Sequence, residues 1–169
     1  DTKAVLAQGD FDGKPVTSDT YVSAGILWTR PDVAEFHTVF AYPVQVGDKP
    51  LFEHRVTRLR MGERLCEVVS HFSDRSKQSF HKPKTGIPIP HEVAIGLTAQ
   101  SKDAHVTLDA AKGLAAIYGP FAGSSLGTGI VVDPTSVIRT EQVPASGKDS
   151  PGDQAMLIVR PDAQGRISY

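Results

Sequence analysis

Short stretches of alternating apolar and polar residues recur along this chain, separated by Gly, Pro and Asp turn signals. Alternation with a period of two is typical of β-strands that bury one face. A weak helical period occurs around Asp103 to Lys112. The strands that the pattern predicts run from Phe36 to Val46, Leu51 to Met61, Leu65 to Phe72, His91 to Ala99, Val106 to Asp109, Leu114 to Tyr118, Leu126 to Val132 and Ala155 to Arg160. The predicted fold class is therefore all-β, an antiparallel β-sandwich.

One tight turn predicts the register of two of these strands. In Met61-Gly62-Glu63-Arg64, Gly62 stands first in a two-residue loop, as a type II′ hairpin requires. This loop places Arg58 opposite Glu67, Val56 opposite Val69, and His54 opposite His71. The opposite charges of Arg58 and Glu67 support the register, because such cross-strand pairs stabilise a sheet.

The same register divides the first three predicted strands into two faces. One is mostly apolar and is predicted to be core: Phe36, Thr38, Phe40, Tyr42, Leu59, Cys66. The other, here called the polar face, carries ionisable side chains: His37, His54, Arg58, Arg60, Glu67, His71. A solvated outer surface is one explanation for the polar face, since antiparallel sheets commonly expose one side to water. A functional surface is the other.

Two long irregular stretches interrupt the strands. Ser73 to Pro90 is rich in Lys and Arg and holds His81 near its centre, so it would suit an acidic ligand. A simple surface excursion is the alternative. Asp133 to Gln154 contains three prolines and several Ser and Gly, and we expect a surface loop with little chemical content.

Length and charge narrow the class of protein. The 169 residues suit one sandwich domain or the C-terminal part of a larger one. Lys+Arg 18 against Asp+Glu 19 leaves a net charge of -1, so there is no basic excess for nucleic-acid binding. No run of about eighteen apolar residues occurs, and we expect neither a membrane span nor a retained signal peptide. The start at Asp1 and the short strand signal from Arg166 to Tyr169 suggest a fragment.

The sequence contains partial matches to catalytic and metal-binding motifs, but the further residues that these motifs require are missing. Gly123-Ser124-Ser125-Leu126-Gly127 matches a nucleophile elbow, but a strand follows it and no histidine lies downstream, so we interpret it as a glycine-rich turn. His54 opposite His71 could begin a metal site, yet too few further ligands converge to predict one. No other cofactor is predicted, and metal dependence stays open at this point. Cys66 is expected to be a small buried hydrophobe.

The polar face and the basic loop suggest chemistry on uronic-acid sugars. Arg binds carboxylates in a bidentate manner, and His exchanges protons near neutral pH. The substrate-binding candidates are therefore Arg58, Arg60, His37 and His81, and the catalytic candidates are His54, His71 and Glu67.

The segment from Glu35 to Tyr42 is one of a series of blocks in which the chain resembles the bacterial family called domain of unknown function 4861. The further blocks, in order, are Gly25 with its following strand, Glu53 to Leu59 with the turn at Gly62, Glu92 to Leu97, Lys112-Gly113-Leu114, and Leu126 to Val132. The likeness covers the chain from about Tyr21 to its end. Where this family often has a histidine the chain has Gln100, so no role is carried over to that position.

The resemblance implies an antiparallel supersandwich similar to galactose mutarotase and polysaccharide-lyase sandwiches. It also implies a secreted or periplasmic protein that takes part in polysaccharide degradation, by lyase, dehydratase or hydrolase chemistry on acidic oligosaccharides. Members extend beyond both ends of this chain, so the resemblance implies the C-terminal part of a larger domain.

Two other functions stay open at this point. A non-catalytic carbohydrate-binding sandwich would expose aromatic side chains on a face, and the single tryptophan, Trp28, precedes the first clear predicted strand. A structural or assembly module would pair its exposed sheet edges with a second chain or a missing segment. The predicted partner of the carbohydrate-active enzyme and of the carbohydrate-binding sandwich is an oligosaccharide.

Overall fold

The computed structural model describes residues 8–11, 14–17, 20–46, 49–74, 92–145 and 152–169. Within these ranges the protein is all-β with antiparallel sheets, as predicted. The two helical segments described are single 3-10 turns, Ala110–Lys112 and Pro134–Ser136. No helix in the described part of the chain has the length and apolar character needed to cross a membrane. The strands are Gln8–Phe11 (β1), Lys14–Thr17 (β2), Thr20–Arg30 (β3), Val33–Val46 (β4), Lys49–Arg60 (β5), Cys66–Ser73 (β6), Val93–Thr98 (β7), His105–Asp109 (β8), Leu114–Phe121 (β9), Ser124–Val131 (β10), Val137–Val143 (β11), Gln154–Val159 (β12) and Arg166–Ser168 (β13).

The chain divides into two compact units. The prediction for residues 1–169 is a single sandwich domain or the C-terminal part of one. The first unit, here called the sandwich unit, comprises Glu92–Arg160 with Asp1–Gln8. The second, the five-stranded unit, comprises Gly9–His91 with Pro161–Tyr169. Each unit contains strands that pair antiparallel with their neighbours.

The sandwich unit packs two antiparallel sheets against each other. One contains β11, β12 and β7 in that order, and the other contains β10, β9 and β8. Strands β7 and β12 are buried along nearly their whole length, which fits their continuous apolar sequences. The core contains Ile95, Leu157, Ala115 and Ile117, each 5% exposed or less.

The five-stranded unit is named for its antiparallel sheet, which has the order β13-β6-β5-β4-β3; the unit also includes β2 and most of β1. The β5–β6 register is the predicted one, with Arg58 opposite Glu67 and His54 opposite His71. The connecting turn differs from the prediction, because the ladder ends at Leu59 and Cys66. The Glu63 N–H donates to the Arg60 oxygen at 3.2 Å, and Gly62 takes φ 81° in the third position of that turn.

Four strands were missed by the sequence prediction: β1, β2, β3 and β11. Strand β3 begins at Thr20, well before Phe36, and its apolar residues do not alternate cleanly because of two register shifts against β4. Strand β11 occupies Val137–Val143, inside the stretch predicted to be the loop 133–154. The prediction of a loop there is wrong, because prolines that flank a strand limit its length but do not prevent it from forming.

The remaining local predictions have different outcomes. His105–Asp109 is a strand followed by one 3-10 turn, so the weak helical period around Asp103 does not produce an α-helix. Gly123 lies in the β9–β10 turn and a strand follows it, as the rejection of a nucleophile elbow requires. The basic loop predicted at 73–90 includes His81. Residues 75–91, which make up most of this loop, are outside the part of the chain that the structure describes.

Candidate functional site

The polar face of the five-stranded sheet forms as the register predicts. His37 is opposite Val56, Glu35 is opposite Arg58, and Val39 is opposite His54. Because partners in an antiparallel ladder point to the same side, these residues share one face with Glu67 and His71. The ring of His37 lies against Gly25 of β3, where an added Cβ would come 3.0 Å from the His37 Cε1 atom.

Arg58 is held between two carboxylates. Its Nη2 atom lies 2.8 Å from Glu35 Oε2, and its Nη1 atom lies 3.0 Å from Glu67 Oε2. The hydrogen bond to Glu35 is the main cause of the raised pKa of Arg58. A ligand carboxylate would have to displace one of these partners, so Arg58 is a weaker anion site than the sequence suggests. Arg60 is exposed on the same face, and the described residues include no ion pair to it.

His54 and His71 lie side by side, as predicted, but in different environments. His54 is 2% exposed, and its Nε2 atom lies 3.5 Å from Ser73 Oγ. His71 is partly buried, and burial is the main cause that lowers its pKa, with further lowering by His54 and Arg166. Asp162 and a hydrogen bond to the Gln164 backbone act in the opposite direction. His71 is therefore neutral at pH 7.

The Nε2 atom of His71 is buried and has no hydrogen-bond partner among the described residues. When the neutral ring carries its proton on Nδ1, the Nε2 lone pair is unused. Buried polar atoms without partners are uncommon and call for an explanation such as a bound group.

Arg166 is a residue that sequence reasoning missed. It is directly opposite His71 in the β13–β6 ladder, so the two Cβ atoms are about 5 Å apart on one face. The described residues include no ion pair to its side chain. A pattern search could have found Arg166 only by pairing the short final strand with β6.

Distance along the strand separates the predicted site residues into groups. Arg58 and Arg60 lie four and six residues from His54 on β5, about 13 and 20 Å at roughly 3.3 Å per residue. A single sugar ring is too small to contact both ends. Glu67 belongs to the Arg58 end, and His37 lies between the ends.

The opposite face carries a buried ionic cluster where an apolar core was predicted. Glu53 is fully buried, and Arg55 donates to its Oε1 atom at 2.8 and 3.1 Å. Ser70 donates to the same oxygen at 2.6 Å, and Tyr42 donates to Oε2 at 3.3 Å. We call these residues, with Tyr169, the Glu53 cluster. The register already placed Glu53, Arg55 and Ser70 on this face, which is the signal that could have revealed it.

Electrostatics within the Glu53 cluster favour the ion pair. Burial opposes the charged form of Arg55, but Glu53, together with Tyr169 and Tyr42, outweighs this effect, and the pKa of Arg55 is raised. The guanidinium also lies 4.9 Å from the centre of the Phe40 ring. Burial raises the pKa of Tyr169 to about 12, so this phenol, 3.4 Å from Ser70 Oγ, stays protonated at neutral pH.

Two further sequence predictions concern thiol and metal chemistry. Cys66 is exposed, so the prediction of a buried hydrophobe is wrong. Its partner in the ladder, Leu59, is 45% exposed as well, so this end of the face is not buried. Within the described residues, no group of three or more His, Cys, Asp or Glu side chains is arranged to hold a metal ion.

Comparison with known proteins gives no match: no family model, no curated protein and no solved structure matches this chain. The resemblance drawn from the sequence blocks therefore stays a prediction.

Proposed function

We propose that this chain is part of a carbohydrate-active protein that acts on acidic oligosaccharides, with its reacting groups at the His71 end of the polar face. The reaction class is a lyase or dehydratase elimination, or a hydrolysis. A secreted or periplasmic location belongs to the same proposal, because polymeric polysaccharides are degraded outside the cytoplasm.

The observation that carries the proposal is the pairing of His71 with Arg166. A neutral imidazole with an unused, buried Nε2 lone pair is a suitable general base. A guanidinium on the neighbouring strand, unpaired among the described residues, is a suitable partner for a sugar carboxylate. These are the two groups that proton abstraction next to a carboxylate requires.

The elimination can be written with residues of this face. Arg166 binds the uronate carboxylate and stabilises the negative charge that develops when the adjacent carbon loses its proton to His71 Nε2. The bond from the neighbouring ring carbon to the glycosidic oxygen then breaks and a carbon–carbon double bond forms. The protonated His71 returns the proton to the departing oxygen. Because Nε2 is shielded in this conformation, substrate binding must expose it.

The other polar-face residues would contact more distant sugar units. Arg60 lies about 20 Å along the strand from His54, which is His71's neighbour, and so it suits a second carboxylate of an oligosaccharide lying along β5. The proposal therefore predicts a preference for oligomers over single uronic acids.

A turnover assay tests the proposal. The protein is incubated with a panel of uronate oligosaccharides, and the unsaturated product is followed by ultraviolet absorbance, with reducing ends measured in parallel for hydrolysis. We expect activity that His71→Gln and Arg166→Met each lower at least about a hundredfold. Arg160→Met is the matched control, since it removes an exposed guanidinium from the other unit. No turnover of any uronate oligosaccharide, or equal loss in the control, would contradict the proposal.

Exposed strand β3 favours a second candidate function, an assembly module that pairs through sheet edges. Strand β3 is at the edge of its sheet, and no described strand pairs with the side that faces away from β4. It exposes large apolar side chains, with Ile26 76% and Tyr21 61% exposed. Long apolar edge strands are templates for pairing with another chain. Sedimentation of the wild type and Ile26→Lys tests this candidate: it predicts self-association that the lysine removes, and a monomeric wild type would contradict it.

A further inference from the structure

The sandwich unit contains a cavity of about 110 Å³ at one end of its two sheets. One wall is the end of β7 with the following residues 99–104, and the other is the β9–β10 hairpin. Leu97, Ile117 and Leu126 supply apolar surface, and Phe121 supplies an aromatic ring. Phe121 is 46% and Leu126 is 41% exposed, which places them at the mouth.

Close contacts fix the wall formed by residues 99–104. The Ala99 N–H donates to the Asp153 oxygen at 2.8 Å, and the Ala104 N–H donates to the Ser101 oxygen at 3.3 Å. An added Cβ on Gly119 would lie 2.7 Å from Ala104, and one on Gly152 would lie 2.7 Å from the Ala99 Cβ. The cavity is thus preformed, and a ligand would not have to order this loop.

The polar groups in the lining are all uncharged. They belong to Thr98, Gln100, Ser101 and Thr128, and no described lining residue carries a charge. Ser101 Oγ accepts from the Asp103 N–H at 3.1 Å, so its own proton is available for donation. Gln100 uses one N–H on the Thr98 oxygen at 3.2 Å, and its carbonyl oxygen can still accept.

This lining selects for an uncharged ligand with two kinds of surface. A carboxylate or phosphate entering the cavity would lose hydration without meeting a countercharge, which is costly. The aromatic and aliphatic side chains suit a ring with an apolar C–H face, and the hydroxyl and amide groups suit its hydroxyls. The volume is well below the 300–1,000 Å³ of pockets for drug-sized ligands, so it admits no more than one ring, with part of that ring in the mouth beside Phe121 and Leu126.

We propose that this cavity binds a single uncharged pyranose ring, either as a free monosaccharide or as one unit of a glycan. The inference does not rest on the function proposed for the polar face. A protein that fails to turn over uronates could still bind a neutral sugar here, and the reverse also holds.

Binding is tested by amide chemical-shift titration of the whole chain with glucose, galactose, mannose and xylose, and with glucuronate and galacturonate. We expect saturable shifts at Leu97, Ser101 and Phe121 with at least one neutral sugar, and affinity at least about tenfold weaker for its uronate counterpart. No saturable shifts at these residues with any neutral sugar, or equal affinity for the uronates, would overturn the proposal.

Two variants and a control make the test specific. Phe121→Ala and Thr128→Val should each weaken binding about two- to tenfold, through the lost ring contact and the lost hydroxyl. Tyr118→Ala removes an aromatic that is 57% exposed on the same strand but outside the cavity, and it should leave affinity unchanged. An equal loss in Tyr118→Ala would overturn the assignment to the cavity.

Discussion

Replacing Glu53 with Gln tests the role of the buried cluster in the five-stranded unit. The substitution keeps the shape of the side chain but removes the charge that faces Arg55 at 2.8 Å. Breaking a buried ion pair by removing one partner costs about 3–5 kcal/mol, because the other charge stays buried and uncompensated. Arg55 retains 12% exposure, so we expect the lower end, about 3 kcal/mol.

That loss is large enough to measure by urea or thermal unfolding. For a chain of this length it corresponds to a fall in Tm of about 6–12 °C. Trp28 is the single tryptophan and lies in the five-stranded unit, so its fluorescence reports the unfolding of that unit. Glu67→Gln is the control, since it removes a carboxylate that is 53% exposed and should cost less than about 1 kcal/mol.

The double variant Glu53→Gln with Arg55→Met separates pairing from packing. Removing both charges should recover most of the loss, because no uncompensated charge then remains buried. If Glu53→Gln cost no more than Glu67→Gln, or if the double variant were no more stable than Glu53→Gln alone, Glu53 and Arg55 would not depend on each other as a buried pair.

Three further predictions follow from other parts of the structure. The pKa of His71 in the folded state lies below its unfolded value of 6.5, so the folded state binds fewer protons and the free energy of unfolding falls as pH drops below about 6.5. His71→Gln should show a shallower fall, and equal pH slopes for the two proteins would count against this explanation. Ala122 has φ 49° in the β9–β10 turn, where Asn before Gly is favoured, so Ala122→Asn should raise the free energy of unfolding by about 0.5–1 kcal/mol, and a lower Tm would contradict it. Exposed Cys66 should react with a thiol reagent in the native protein at nearly the rate of the unfolded chain, whereas strong protection would mean that the thiol is buried.

Local turn chemistry was sufficient to predict much of the five-stranded sheet. The turn at Gly62 gave the correct β5–β6 register, although its geometry differs from the predicted two-residue loop. Strand β3 was missed because register shifts interrupt its alternation, and β11 was missed because it is an edge strand with few apolar residues. Edge strands need little apolar surface, so binary patterns detect them poorly.

The candidate site shows the same dependence on long-range pairing. Register alone placed His54 beside His71, since both lie on adjacent strands of one hairpin. It could not bring Arg166 beside His71, because β13 and β6 are separated by most of the other unit in sequence. Burial of Glu53 with Arg55 also depends on Tyr42 and Tyr169, which come from other strands and from the end of the chain.

Binding of a sugar carboxylate at the His71–Arg166 pair can be measured directly. Amide chemical shifts of His71 and Arg166 are followed while a uronate trisaccharide is added, and again with the same trisaccharide after its carboxyl groups are reduced to alcohols. We expect saturable shifts at both residues with the uronate form, at least about tenfold weaker binding with the reduced form, and loss of the shifts in Arg166→Met. Equal binding of the two forms at these residues, or no shift there with the uronate, would contradict the proposed function.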